Sequence, residues 1–104
     1  MIRIEPSPNT SLAEDKDEAR RIRRDEIAPA IERGEDVTLD FAGVELATQS
    51  FIHALISEPV RRYGNRALEA IEFRNCSREL REVILAVLDY TLLAEETAQA
   101  ERKR

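Results

Sequence analysis

The chain reads as a small α/β protein, a mostly parallel sheet wound with helices in β-α-β-α-β-α order. Three observations carry this. Val37, Leu39 and Phe41 alternate with Thr38 and Asp40, the period of a half-buried strand. The stretches on either side, Ser11 to Gly34 and Thr48 onward, place apolar side chains at helical spacing instead. A further alternation around Ile71 and Phe73 then precedes a last helical run. Strand-helix-strand units of this length favour parallel neighbours joined by right-handed crossovers.

Taken in order, Ile2 and Ile4 alternate with Arg3 and Glu5, a short first strand. Pro6 and Pro8 end it, because proline cannot donate to a ladder. Ser11 and Glu14 have capping-box spacing, and Leu12, Ala19, Ile22, Ile27, Ala30 and Ile31 follow along one helical face. Arg20, Arg21, Arg23 and Arg24 form a basic cluster, but Asp15, Asp17, Glu18, Asp25 and Glu26 flank it, which predicts intrahelical ion pairs. Arg23 falls near the middle of the apolar face, where it must snorkel or meet a carboxylate. Pro29 predicts a kink or break, and Gly34 a stop.

After the central strand, Gly43 supplies a turn and Thr48 the cap of a second helix, whose apolar stripe is Phe51, Ile52, Leu55 and Ile56. Pro59 is expected to interrupt that helix and Gly64-Asn65 to end it. Leu68 through Asn75 reads as a third strand, and Ser77 as the N-cap of the last helix. That helix carries Leu80, Val83, Ile84, Val87, Leu88 and Thr91 on one face, widened by Leu85, Leu92 and Leu93. So wide a belt predicts a homodimer. The domain is expected to span residues 1–94, with 95–104 a polar tail that frays. Its core is expected to contain Ile22, Ile27, Leu39, Phe41, Phe51, Leu55, Ile71, Phe73, Ile84 and Val87.

Composition excludes several classes. A net charge of −5 argues against a sequence-independent grip on nucleic acid. No stretch approaches the length of a membrane span, and MIRIEPSPNT lacks the apolar core of a signal peptide, so a cytoplasmic protein is expected. Cys76 is the single cysteine, which rules out an internal disulfide. Phosphate-binding loops, dinucleotide fingerprints, zinc spacings and paired catalytic carboxylates are all missing. The expectation is a chain that is not an enzyme and uses no metal or cofactor.

The stretch LDFAGVELATQSF, residues 39–51, resembles the strand-loop-helix of the STAS family, the sulfate transporter and anti-sigma-factor antagonist domains. It is more specifically similar to a bacterial STAS-like domain family of unknown function. The matching positions are Leu39-Asp40-Phe41, Gly43-Val44 and Thr48-Gln49-Ser50-Phe51. The resemblance implies a STAS-like fold and a regulatory role. The implied partner is a protein, an ATP-binding anti-sigma-like or histidine-kinase-like one. In the antagonist branch the helix start carries Asp-Ser-Ser-Gly, and its first serine is phosphorylated by that partner. Here the phospho-acceptor position is Gln49, which cannot take phosphate; Thr48 replaces the aspartate, Ser50 matches the second serine, and Phe51 replaces the glycine.

The candidate partner-binding residues are therefore Gly43, Thr48, Gln49, Ser50 and His53, with Asp40, Phe41 and Phe51 as the structural motif. Loops at the C-terminal ends of parallel strands collect ligands because helix N-termini converge there. A nucleotide or small-ligand sensor using the same helix start is the alternative. Each residue also has a plainer role. Thr48 and Ser50 can serve only as caps, and Asp40 can accept N–H bonds from the next turn. His53, the lone histidine, has no second ligand for a metal and belongs at the edge of the apolar stripe. Cys76 suits a small corner-filling side chain.

Overall fold

The computed structural model describes the backbone of residues 1–102 and the side chains of residues 1–93. Its strands are β1 (Ile2–Arg3), β2 (Leu12–Ala13), β3 (Val37–Asp40), β4 (Leu46–Ala47) and β5 (Ile71–Arg74). The first helix, α1, runs Lys16–Ile22, Arg23–Ile27 and Ala28–Glu32; the second, α2, runs Gln49–Ile52, His53–Ser57 and Glu58–Tyr63. A short α3 (Asn65–Ala70) and a long α4 (Arg78–Arg102) complete the fold. This is the expected mixed α/β architecture, with a small parallel sheet.

The main sheet has the order β1-β3-β5 and is parallel throughout. Ile2, Leu39 and Phe73 stand in one row across it, and Arg3, Asp40 and Arg74 in the next. Val37, Leu39 and Ile71 are buried, whereas Thr38, Asp40, Glu72 and Arg74 are not. The helices therefore cover one face of the sheet and leave a polar face on the other, which explains the strict alternation in β3. The expected core residues are buried except Phe73, which is half-buried and stacks on Phe41 with ring centroids 6.4 Å apart.

The structure corrects several boundaries. Ser11 and Glu14 do not cap α1. Leu12–Ala13 pairs in parallel with Leu46–Ala47, a second small ladder, and the Ser11 hydroxyl donates to Glu45 Oε2 at 3.2 Å. Asp15 caps instead, accepting from the amides of Asp17 and Glu18. Neither Pro29 nor Pro59 breaks its helix. Each follows a π-helical turn, Arg23–Ile27 in α1 and His53–Ser57 in α2, and each falls in the first turn of the α-helical segment that resumes. There a missing N–H leaves no hole in the ladder. In α1 the Ala28 amide donates to Arg23 O, the wider loop of a π turn.

The third strand is shorter than expected. Residues 65–70 form α3, and only Ile71–Arg74 is extended. Gly43 has no positive φ; Gly34 and Gly64 do, with Asn9 and Asn75. A Cβ at Gly43 would meet only Pro6 Cδ, at 4.0 Å, so the turn does not demand glycine. α4 continues to Arg102, while the fraying expected over 95–104 lies outside the described side chains. On α4, Leu80, Ile84, Val87 and Thr91 are buried, but Leu85 and Leu93 are 52% and 63% exposed. Among the described residues, no helix is long and apolar enough to cross a membrane.

Candidate functional site

The loop between β3 and α2 is fastened on both sides. The Val44 amide closes its first turn onto Phe41 O at 2.9 Å. The Glu45 amide donates to Ser11 O at 2.9 Å, and the Thr48 amide to Ala13 O at 3.1 Å. From the other side, the Ser77 hydroxyl donates to Glu45 O at 2.6 Å and also accepts the Leu80 amide, capping α4 as expected. β2 and the start of α4 thus hold the loop in place before anything binds.

Asp40 closes the strand end. Its Oδ1 accepts Asn75 Nδ2 at 2.9 Å and the Ala42 amide at 3.0 Å. The Asn75 bond, then that of Ala42 and the Arg3 and Arg74 charges, hold its carboxyl below the usual carboxylate value. This is the turn-closing role open to Asp40 from its position. Phe41 and Phe51 are both buried and anchor the strand end and the helix start from below.

Thr48 Oγ1 accepts the Phe51 amide at 3.1 Å, so Thr48 is the N-cap of α2. Gly43, Gln49 and Ser50 are exposed. His53 is exposed one turn further on, and its Nε2 lies 3.4 Å from Arg61 Nη2. A guanidinium can only donate, so a hydrogen bond between them has Nε2 as the acceptor.

Gln49, Ser50 and His53 open together onto a groove of about 710 Å³ between α1, α2 and α4. Gly43 and Thr48 do not line it. Among the described residues, its cationic groups are Lys16, Arg20 and Arg23 from α1 and Arg61 from α2, and its one carboxylate is Glu58. Ala54, Ala86 and Val87 form an apolar floor, and Tyr90, 71% exposed, stands at the rim.

The charges in the groove are unevenly matched. Arg20 pairs with Asp17 at 2.9 Å. Arg23, the cation on the apolar face, meets Glu58 at 3.2 Å, although its buried Nε makes no aligned hydrogen bond. Arg21 and Arg24, outside the groove, pair with Glu18 and Asp25 as expected of the basic cluster. Among the described residues no carboxylate pairs with Lys16 or Arg61. On a chain of net charge −5, this groove is a local cationic exception.

Ser57, at the base of the groove, is buried against Thr91 of α4, with the two hydroxyls 3.2 Å apart. Cys76 is half-buried, and burial pushes its thiol up, which suits a packing role. The described residues contain no group of His, Cys, Asp or Glu suited to a metal ion. Sequence reasoning missed the contributions of Lys16, Arg61 and Tyr90 to this surface. Each lies on a different helix, and no spacing along the chain connects them.

A parallel sheet covered on one face, an Asp-Phe strand end and a Thr-capped helix start define a STAS-like α/β domain. The family described as a STAS-like domain of unknown function (DUF4325) matches residues 18–81, and the chain belongs to it. The matched span runs from α1 into α4 and includes Arg20, Arg23, Gln49, Ser50, His53 and Arg61 of the groove. No curated protein and no solved structure matches the chain.

Proposed function

We propose that the chain is a non-catalytic bacterial regulatory module that docks a protein partner through the surface running from Gly43 to His53. One observation carries the reading: Gln49, Ser50 and His53 stand at a pre-fastened helix start and share a groove with Lys16 and Arg61, cations that no carboxylate pairs with among the described residues. An occupant that brings carboxylates would satisfy them. Pre-organisation favours binding because little loop entropy is lost on docking. The partner class is the one the STAS resemblance implies, an anti-sigma-like or histidine-kinase-like ATPase, met through an acidic segment. Gln49 keeps the position of the antagonist phosphoserine permanently uncharged, so docking runs without a phosphate switch at that residue. The setting is the cytoplasm.

Capture with the immobilised wild-type chain, compared with Gln49→Glu and Arg61→Glu, tests this. A protein retained by the wild type and lost by both variants, at unchanged melting temperature, supports the docking surface. A protein retained equally by all three moves the contact elsewhere.

The groove's volume and the two cations left unmatched among the described residues also favour the alternative, a nucleotide or small-ligand sensor. A ligand that binds only the native state raises the melting temperature by mass action. A nucleotide-dependent rise in the isolated chain, lost in Arg61→Glu, would select that reading.

A further inference from the structure

β5 is an outermost strand of the order β1-β3-β5. Arg74 turns its main chain toward β3, since its carbonyl accepts the Phe41 amide at 3.0 Å. Main-chain direction alternates along a strand, so the N–H and C=O of Phe73 point outward. No described turn or loop hydrogen bond takes them up. On the helix-covered side of this edge, Phe73, Cys76, Ile84, Leu85 and Leu88 line a small, mostly apolar groove together with the exposed Arg81, and Leu85 is 52% exposed. On the polar side stand Glu72 and Arg74, ion-paired at 3.0 Å.

We propose that this edge pairs antiparallel with the same edge of a second copy, Phe73 opposite Phe73 on the two-fold axis, joining two three-stranded sheets into one. Two features of the edge select this occupant and this register. A two-fold axis perpendicular to the sheet keeps each side chain on its own face. Placing it at residue 72 would set Glu72 opposite Glu72, and at residue 74 Arg74 opposite Arg74, both like-charge pairs that destabilise. Placing it at Phe73 sets each Glu72 opposite Arg74 of the other copy. It also makes Phe73 the hydrogen-bonded pair, and Phe73 is the residue whose main-chain groups face out. The Glu72–Arg74 pairs then occupy non-hydrogen-bonded positions, where Cα atoms approach to about 4.5 Å and side chains lie close. Leu85 and Leu88 of the two copies meet beside the axis on the apolar face. The self-association expected of the last helix is thereby centred on β5, with α4 contributing its flank.

The test uses full-length chains carrying Cys76→Ser. Glu72→Cys and Arg74→Cys are made separately, then mixed in equal amounts and oxidised mildly. The mixture should form a disulfide dimer, because facing Cα atoms at about 4.5 Å fall within disulfide reach. Each variant alone should not, since its cysteines are offset across the axis. In parallel, sedimentation at micromolar concentration should show a wild-type dimer. Glu72→Arg should weaken it at least tenfold, and Glu72→Arg/Arg74→Glu should restore it. A monomeric wild type overturns the proposal. So does a dimer whose mixed cysteines cross-link no better than the single variants, or one that the charge swap fails to rescue.

Discussion

Removing one hydroxyl at the base of the groove should cost more than removing two. Ser57 and Thr91 are each 2% exposed, and their hydroxyls face each other at 3.2 Å between α2 and α4. Ser57→Ala leaves the Thr91 hydroxyl buried without its partner, a cost of about 1–3 kcal/mol. Thr91→Val keeps the shape and does the same to Ser57. The double variant removes both polar groups and should lose less than the sum of the singles, since replacing both partners with apolar groups is nearly neutral. With each single costing about 1–3 kcal/mol and the double nearly neutral, the cycle should give a coupling energy of at least about 2 kcal/mol. Urea denaturation of the four proteins reads this directly as shifts in midpoint at constant slope. In heat, each kcal/mol moves the melting temperature by about 4–8 °C in a domain of this size. Single variants within about 0.5 kcal/mol of wild type, with additive effects, would refute the reasoning. They would mean that each hydroxyl bonds the carbonyl four residues back on its own helix, so that the α2–α4 contact is held by apolar packing alone.

Phe41→Ala should cost about 3–5 kcal/mol, because the ring is fully buried at the strand end and its removal leaves a cavity; denaturant melts check this, and a loss under about 1 kcal/mol would contradict a rigid core there. Asp40 should titrate below the ordinary aspartate value of about 3.9 by NMR. Since its folded value is the lower one, its contribution to stability is present above the unfolded value and is lost as pH falls through the folded value. Asp40→Asn should accordingly reduce the loss of stability on acidification, and an unchanged acid profile would show that the Asn75 and Ala42 bonds do not favour the carboxylate.

The sequence displayed some parts of this molecule and hid others for identifiable reasons. β3 was legible because one face of the sheet is buried and the other polar, which writes a period of two into Val37 to Asp40. Thr48 and Ser77 were legible because cap chemistry is local. The Leu12–Ala13 and Leu46–Ala47 ladder was not, since two-residue strands carry no period and their pairing depends on a distant partner. The same ladder removed Ser11 from its expected capping role. Leu68 to Ala70, expected to open the third strand, instead end α3, and Arg66, Ala67, Glu69 and Ala70 are good helix formers. Pro29 predicts a kink or break and Pro59 an interruption, whereas a π turn ahead of each keeps the helix continuous.

The candidate site divides the same way. Gln49, Ser50 and His53 were found from their place at a helix start, and Asp40 from its place at a strand end. The groove that gives the first three a common direction was invisible. It exists only where α1, α2 and α4 pack, and its cations reach it from helices whose sequences read as ordinary ion-paired surface.

The most direct test of the docking surface is calorimetric titration of the captured partner into the wild type, Gln49→Glu and Ser50→Ala. The helix dipole favours a carboxylate at the start of α2, so Gln49→Glu should fold normally. It should nevertheless bind at least tenfold more weakly, a loss of about 1.4 kcal/mol, by setting a like charge against an acidic segment. Ser50→Ala should lose less, since it removes one uncharged hydrogen-bonding group. Unchanged affinity in both variants, with melting curves equal to the wild type, would contradict the account.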